Sequence, residues 1–148
     1  MNVSAAEKMQ KFVIGISDYA KKAKPGFLIV PQNGIDLTFK KGKSENGFNE
    51  KYLKAIDGYG VEELFYFETL AIDTFRLENL RKLKDKKILV SDYVTNDADV
   101  PDAKERNKKE GFIPFVRSKS NYHYHIIPDR IIDKNDDDVT QLSQVKNY

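Results

Sequence analysis

The stretch Lys86-Lys87-Ile88-Leu89-Val90-Ser91-Asp92 decides the fold: a short, uninterrupted apolar run is entered through two lysines and closed by an aspartate. A run without polar alternation reads as a strand buried on both faces, which is the pattern of a parallel sheet. Upstream, Ile72, Phe75, Leu80 and Leu83 mark one face of a helix over Thr69 to Lys84. Downstream, Asp102 to Glu110 reads as a shorter helix, Gly111 takes the position of a C-terminal glycine cap, and Phe112-Ile113-Pro114-Phe115-Val116 follows as a strand.

The alternation continues toward the amino terminus. Met9, Phe12, Val13, Ile16, Ala20 and Ala23 recur at helical spacing, and Ser4 with Glu7 forms a capping box. Lys21, Lys22 and Lys24 suit the negative end of that helix, and Pro25-Gly26 stops it. Phe27-Leu28-Ile29-Val30, closed by Pro31, predicts another buried parallel strand. The polar segment from Asp36 reads as a loop with a short helix near Asn49 to Lys54, and Ala55 to Val61 as a glycine-loosened strand. The order α-β-α-β-α-β-α-β implies right-handed crossovers and a parallel sheet covered on both faces. Either an open doubly wound sheet or part of a (β/α) barrel satisfies it.

Composition narrows the function classes. The 148 residues are enough for one domain, and 25 Lys plus Arg against 23 Asp plus Glu leave a formal charge of +2. The basic clusters form no stripe that would hold a phosphate backbone, so no nucleic-acid partner is expected. The absence of Cys excludes disulfides, thiolate metal sites and cysteine nucleophiles. No apolar run is long enough to span a membrane. Glu7, Lys8, Gln10, Lys11 and Asp18 interrupt any signal-peptide core, so the chain itself carries no export signal.

In parallel α/β folds ligands meet the carboxyl ends of the strands. Those ends carry Gln32, Asn33 and Gly34; Asp57, Glu62 and Glu63; Asp92 and Tyr93; and Arg117. Carboxylates, amides, a phenol and a guanidinium suit sugar hydroxyls, and Glu62 with Asp92 is the best-placed carboxylate pair for glycosidic chemistry. Each feature has a plainer reading. Glu62-Glu63 could start a helix, Asp92 could cap a loop, Asn33-Gly34 is a strong turn signal, and Arg117 could pair with a neighbouring carboxylate. Tyr59, Phe65, Tyr66 and Phe67 could stack on a sugar or fill a core. His123 and His125, two apart and without a third ligand, are a weak metal signal, so no metal and no cofactor is expected. Gly58-Tyr59-Gly60 lacks the third glycine and helix start of a dinucleotide fingerprint.

Val30-Pro31-Gln32-Asn33-Gly34, then Ala55 to Tyr66, then Ile88-Leu89-Val90-Ser91-Asp92-Tyr93-Val94, then Gly111 to Val116 resemble, in this order, the later strands of glycoside hydrolase family 114-like proteins. These are TIM-barrel proteins related to endo-α-1,4-polygalactosaminidases. The resemblance covers roughly residues 1–117 and implies the second half of a (β/α) barrel, strands five to eight, with 118–148 as a C-terminal extension ending in a frayed tail. It implies retaining hydrolysis of a hexosamine-rich, galactosaminogalactan-like polysaccharide by an Asp after the fourth strand and a Glu after the sixth. Glu62 matches the Glu, the general acid/base; the Asp has no counterpart here. Gln32, Asn33, Asp57, Asp92, Tyr93 and Arg117 are the expected substrate-facing positions. A full barrel takes about 250 residues, so a half barrel needs a partner, either a second copy or a complementary half-barrel chain. The alternative is a catalytically inactive carbohydrate-binding or assembly fragment. The family implies an extracellular or cell-envelope setting for a complete protein.

Overall fold

The computed structural model describes residues 4–117; the predicted extension and both histidines lie outside the described residues. Helix α1, Ala5–Ala23, starts at the expected capping box: the Glu7 amide donates to Ser4 Oγ and the Ser4 amide donates to Glu7 Oε2, at 3.2 and 3.0 Å. Helix α2, Glu50–Ala55, is capped by the Asn49 side chain. Strand β1 runs over Gly58–Leu70, helix α3 over Thr74–Leu80, strand β2 over Lys87–Val94, helix α4 over Val100–Lys109 and strand β3 over Ile113–Arg117. The three strands are parallel in the order β1-β2-β3. The α/β architecture with a parallel sheet is therefore as the sequence predicts.

Phe27 to Pro31 is extended, but lies at the edge. Asp57 and Gly60 donate their amides to the carbonyls of Ile29 and Pro31, each at 2.8 Å, and Gln32 bridges Gly60 in the parallel sense. Only Ile29 packs against the core, while Phe27, Leu28 and Val30 stay exposed. The expectation of a strand buried on both faces fails here because nothing among the described residues covers its outer side.

The same asymmetry runs across the sheet. Strand side chains alternate between faces, and Tyr59, Val61, Ile88, Val90 and Val116 fall on one face, where they join Tyr52, Ile56, Leu77, Leu80, Leu83 and Ala103 in a single buried core. The opposite face carries Val30, Gly58, Gly60, Leu89, Ser91, Ile113 and Phe115. A Cβ on Gly58 would touch Val30 Cγ2 at 3.4 Å and Leu89 Cδ1 at 3.7 Å, which fixes these three on one side. None of these side chains belongs to the core. A doubly wound sheet covers both faces with helices; here, among the described residues, the helices cover one.

Helix α1 docks through an unexpected stripe. Gln10 and Ser17 are buried, Val13 and Ile14 pack on the core, and Met9, Phe12, Ile16 and Tyr19 face outward. The polar pair is buried because each side chain finds carbonyl acceptors on the segments that α1 packs against. Gln10 Nε2 donates to the carbonyls of Leu37 and Phe39 at 2.9 and 2.6 Å, and Ser17 Oγ donates to that of Ala55 at 2.6 Å. Helix α3 is also shorter than its apolar spacing predicts. Strand β1 continues to Leu70, the Asp73 side chain caps the helix, and Ile72 and Phe75 end up exposed.

Asp57 sits at the amino end of β1, opposite the strand end that carries Glu62. Its Oδ2 accepts the Ile29 amide at 2.8 Å and its carboxylate pairs with Lys21 at 2.9 Å. The sequence-based placement of Asp57 among substrate-facing residues is corrected by this geometry: the side chain ties the edge segment and α1 to the sheet. Burial pushes its pKa up, but the Lys21 hydrogen bond and the Ile29 amide outweigh that, so the net displacement is downward. Since the folded value lies below the unfolded one, near 3.8, the contribution is present above that pH and is lost as pH falls through the folded value. Replacing Asp57 by Ala should cost about 1 kcal/mol at neutral pH and flatten the acid limb of stability. Urea melts between pH 7 and pH 3 check both effects.

Candidate functional site

Glu62 is the last residue of β1 before its register shift, follows Gly58 and Gly60 on the bare face of the sheet and is half-buried. Asn33 Nδ2 donates to Glu62 Oε1 at 3.0 Å, and the Tyr93 hydroxyl donates to Oε2 at 3.3 Å. Each carboxyl oxygen thus has its own donor, one from the edge segment and one from β2. The Asn33-Gly34 turn makes this possible. Both residues are left-handed, at φ 59° and 68°, and the Tyr59 hydroxyl donates to the Asn33 carbonyl from below. The turn that Asn33-Gly34 predicts is present, and it aims the Asn33 amide at Glu62.

Tyr93 is itself held. The Arg117 guanidinium lies 5.9 Å from its ring centroid, a cation–π distance. Burial raises the Tyr93 pKa, and the charge and hydrogen bond of Glu62 raise it further, so the phenol stays a donor to the carboxylate. The arrangement is a carboxyl group with two fixed donors, open on the remaining side to the uncovered face. Such a group can exchange a proton with a bound oxygen or accept from a sugar hydroxyl or ammonium. Gln32 is exposed beside Gly60, at the rim of the same face.

Asp92 does not join this cluster. It is fully buried on the helix-covered face, where Oδ1 accepts the amides of Leu64, Phe65 and Tyr66 at 3.0, 2.9 and 3.2 Å. Its Oδ2 accepts Asn107 Nδ2 at 2.8 Å. The expectation that Asp92 faces substrate, or pairs with Glu62, is thereby corrected: both oxygens are committed to protein donors. Strand β1 shifts register between Glu62 and Phe67, and the amides released from the ladder find their acceptor in Asp92. Among the aromatic stacking candidates, Tyr59, Phe65 and Tyr66 are core residues, and Tyr66 donates to Asp102 at 2.7 Å; only Phe67 is exposed.

The carbonyl side of the same bulge is also held. Arg76 Nη1 donates to the Glu62 carbonyl and Nη2 to the Glu63 carbonyl, both at 2.7 Å, while Nε pairs with Asp73 Oδ2 at 2.7 Å. Glu63 is left-handed at φ 56°, a conformation that a non-glycine residue adopts at a cost. Sequence reading missed Asp73, Arg76 and Asn107. Asp73 and Arg76 have the spacing of an ordinary helix start, and that spacing gives no sign of a reach back to β1.

Among the described residues no group of three His, Asp or Glu could hold a metal ion, and no helix is long and apolar enough to cross a membrane. A cleft of about 520 Å³ lies along α1, lined by Lys11, Lys40, Lys41 and Lys51 with Glu7 and Asp18. It shares no residue with the Glu62 cluster.

The two carboxyl groups should separate cleanly by mutation. Asp92→Ala strands three buried amides and should cost more than about 3 kcal/mol. Glu62→Gln keeps the shape and both neighbours and should stay within about 0.5 kcal/mol of the parent. Chemical denaturation of both variants at neutral pH decides it.

No family model matches the chain. A Thermotoga maritima protein described as uncharacterized is 36% identical over 127 residues, covering 76% of this chain and 37% of that protein. An uncharacterized protein of Methanocaldococcus jannaschii is 34% identical over 125 residues, covering 75% of this chain and 34% of its own length. The chain thus spans about a third of the length of the curated relatives it matches.

Proposed function

We propose that the chain is the second half of a (β/α) barrel, strands five to eight, of a carbohydrate-active hydrolase resembling glycoside hydrolase family 114. Its substrate class is a hexosamine-rich polysaccharide. The observation that carries the reading is Glu62, held between Asn33 and Tyr93 at the carboxyl end of the first regularly paired stretch of β1, on a sheet face that no described helix covers. In a barrel that face is the lumen and that end is the mouth where substrates bind. The edge segment 27–32 continues the strand series on the β1 side. Its exposed Leu28 and Val30, with half-buried Leu89, Ile113 and Phe115, suit a lumen closed by complementary strands from a second copy or a separate half-barrel chain.

In this reading Glu62 donates its proton to the glycosidic oxygen as the bond to the anomeric carbon breaks. It then takes a proton from the water that releases the glycosyl intermediate. Asn33 and Tyr93 hold the carboxyl group in place for both steps. The nucleophilic carboxylate, needed about 5 Å away in a retaining mechanism, comes from the complementary half, because Asp92 is fully buried on the other face of the sheet. That same fact favours a second reading for the isolated chain, a carbohydrate-binding or assembly module without turnover.

Titration of the isotope-labelled chain with short α-1,4-linked galactosamine oligomers tests the reading. The resonances of Glu62, Asn33 and Tyr93 should move together, and Glu62→Gln should weaken binding by roughly tenfold or more, the loss of one charge-assisted hydrogen bond. No reducing ends should appear from the chain alone. Oligomers that leave these resonances unmoved would remove the reading.

A further inference from the structure

Glu62 stands at the start of the bulge that interrupts the pairing of β1 with β2, and two oppositely charged side chains hold that bulge. Asp92 collects the amides of Leu64, Phe65 and Tyr66 on one side of the bulge. On the other, the Arg76 guanidinium donates to the carbonyls of Glu62 and Glu63. We propose that Arg76, braced by Asp73, is a positioning residue for Glu62, holding its carboxyl group against Asn33 and Tyr93; the proposal rests on Glu62 being the site's acid/base group.

The geometry supports a specific requirement for arginine. Its planar fork reaches two adjacent carbonyls while Nε remains on Asp73, and the Asp73 carboxylate in turn accepts the Arg76 amide at 2.8 Å. A lysine keeps the charge but cannot bridge three acceptors in one plane. The two carbonyls belong to the residues on either side of the turn into the left-handed Glu63, so the clamp fixes the peptide that sets the direction of the Glu62 side chain. Burial raises the Asp73 pKa, and the Arg76 amide and guanidinium outweigh it, leaving the brace ionised at neutral pH. Arg76 hydrogen-bonds the carbonyls of Glu62 and Glu63, whereas the Glu62 carboxyl group is held by Asn33 and Tyr93, so the hold of Arg76 on that side chain passes through the backbone.

The test is NMR on the full chain, reading the Asn33 side-chain amide and the Tyr93 ring titration in Arg76→Lys and Arg76→Gln. Glu62 and Glu63 raise the Tyr93 ionisation and Arg117 lowers it, behind the larger effect of burial. If Arg76 positions Glu62, both variants shift the Asn33 amide signal and let Tyr93 ionise closer to the ordinary 10. Asp73→Asn moves the same signals by less. Arg81→Gln, which breaks only the exposed pair with Glu110, leaves them unmoved. Should Arg76→Gln fail to fold, Arg76→Lys and Asp73→Asn carry the measurement. Unchanged Asn33 and Tyr93 signals in folded Arg76→Lys and Arg76→Gln overturn the proposal, whatever the sugar does. Binding of galactosamine oligomers is measured in parallel and should fall roughly tenfold in Arg76→Gln, as expected for a misplaced acceptor. Shifted Asn33 and Tyr93 signals in a protein that binds no oligomer would uphold Arg76 as the positioning residue while removing the hydrolase reading.

Discussion

The buried carboxylate of Asp92 is the constraint on which the rest of the structure depends. Strand β1 bulges between Glu62 and Phe67 before it pairs with β2 again at Tyr93 and Val94, and three consecutive amides inside the bulge would be left without acceptors in the interior. Unpaired buried backbone groups are rarely tolerated. Asp92 supplies one oxygen to all three and gives the other to Asn107 on α4. One side chain therefore joins β1, β2 and α4. The bulge in β1 then brings the Glu62 and Glu63 carbonyls within reach of Arg76, and Glu62 itself to Asn33 and Tyr93.

This coupling explains how a small sheet supports a defined polar cluster. Regular strands deliver the residues to one end; the departure from regularity aims them. Left-handed Asn33 and Glu63 lie on either side of Glu62, one donating to it through its side chain and the other held through its carbonyl. Strain of that kind persists only where neighbouring contacts over-determine it, and here the contacts come from Tyr59, Arg76 and Asp92. The opposite end of β1 is fixed separately by Asp57, which ties Lys21 of α1 and the Ile29 amide to the sheet.

Much of the fold is legible in the sequence because its signals are local. The capping box at Ser4, the glycine after α4 and the apolar run at Ile88 each report on a few neighbouring residues, and each lies where it was expected. Coverage of the sheet is not local. An apolar run such as Phe27 to Val30 looks the same whether a helix or an open lumen lies over it. The docking of α1 through Gln10 and Ser17 is invisible for a related reason: what buries these side chains is the need of distant carbonyls, which leaves no periodic trace. Glu62, Asn33 and Tyr93 could be found because strand ends attract ligands. Asp92 stands at an equivalent sequence position, yet alternation turns it to the other face, and Arg76 reaches the site from within the segment Thr69 to Lys84, where the helical spacing gives no sign of it.

The proposed barrel sector would account for a parallel sheet with helices on one side and an apolar, part-exposed opposite face among the described residues. The matched relatives are about three times as long as the segment they share with this chain. The most direct measurement of this account is the solution mass of the purified chain by light scattering over a range of concentrations. Association into a discrete dimer, abolished by a lysine in place of Val30 on the bare face, is the predicted result. A compact monomer at every concentration, with that face protected from exchange and indifferent to the Val30→Lys substitution, would contradict it.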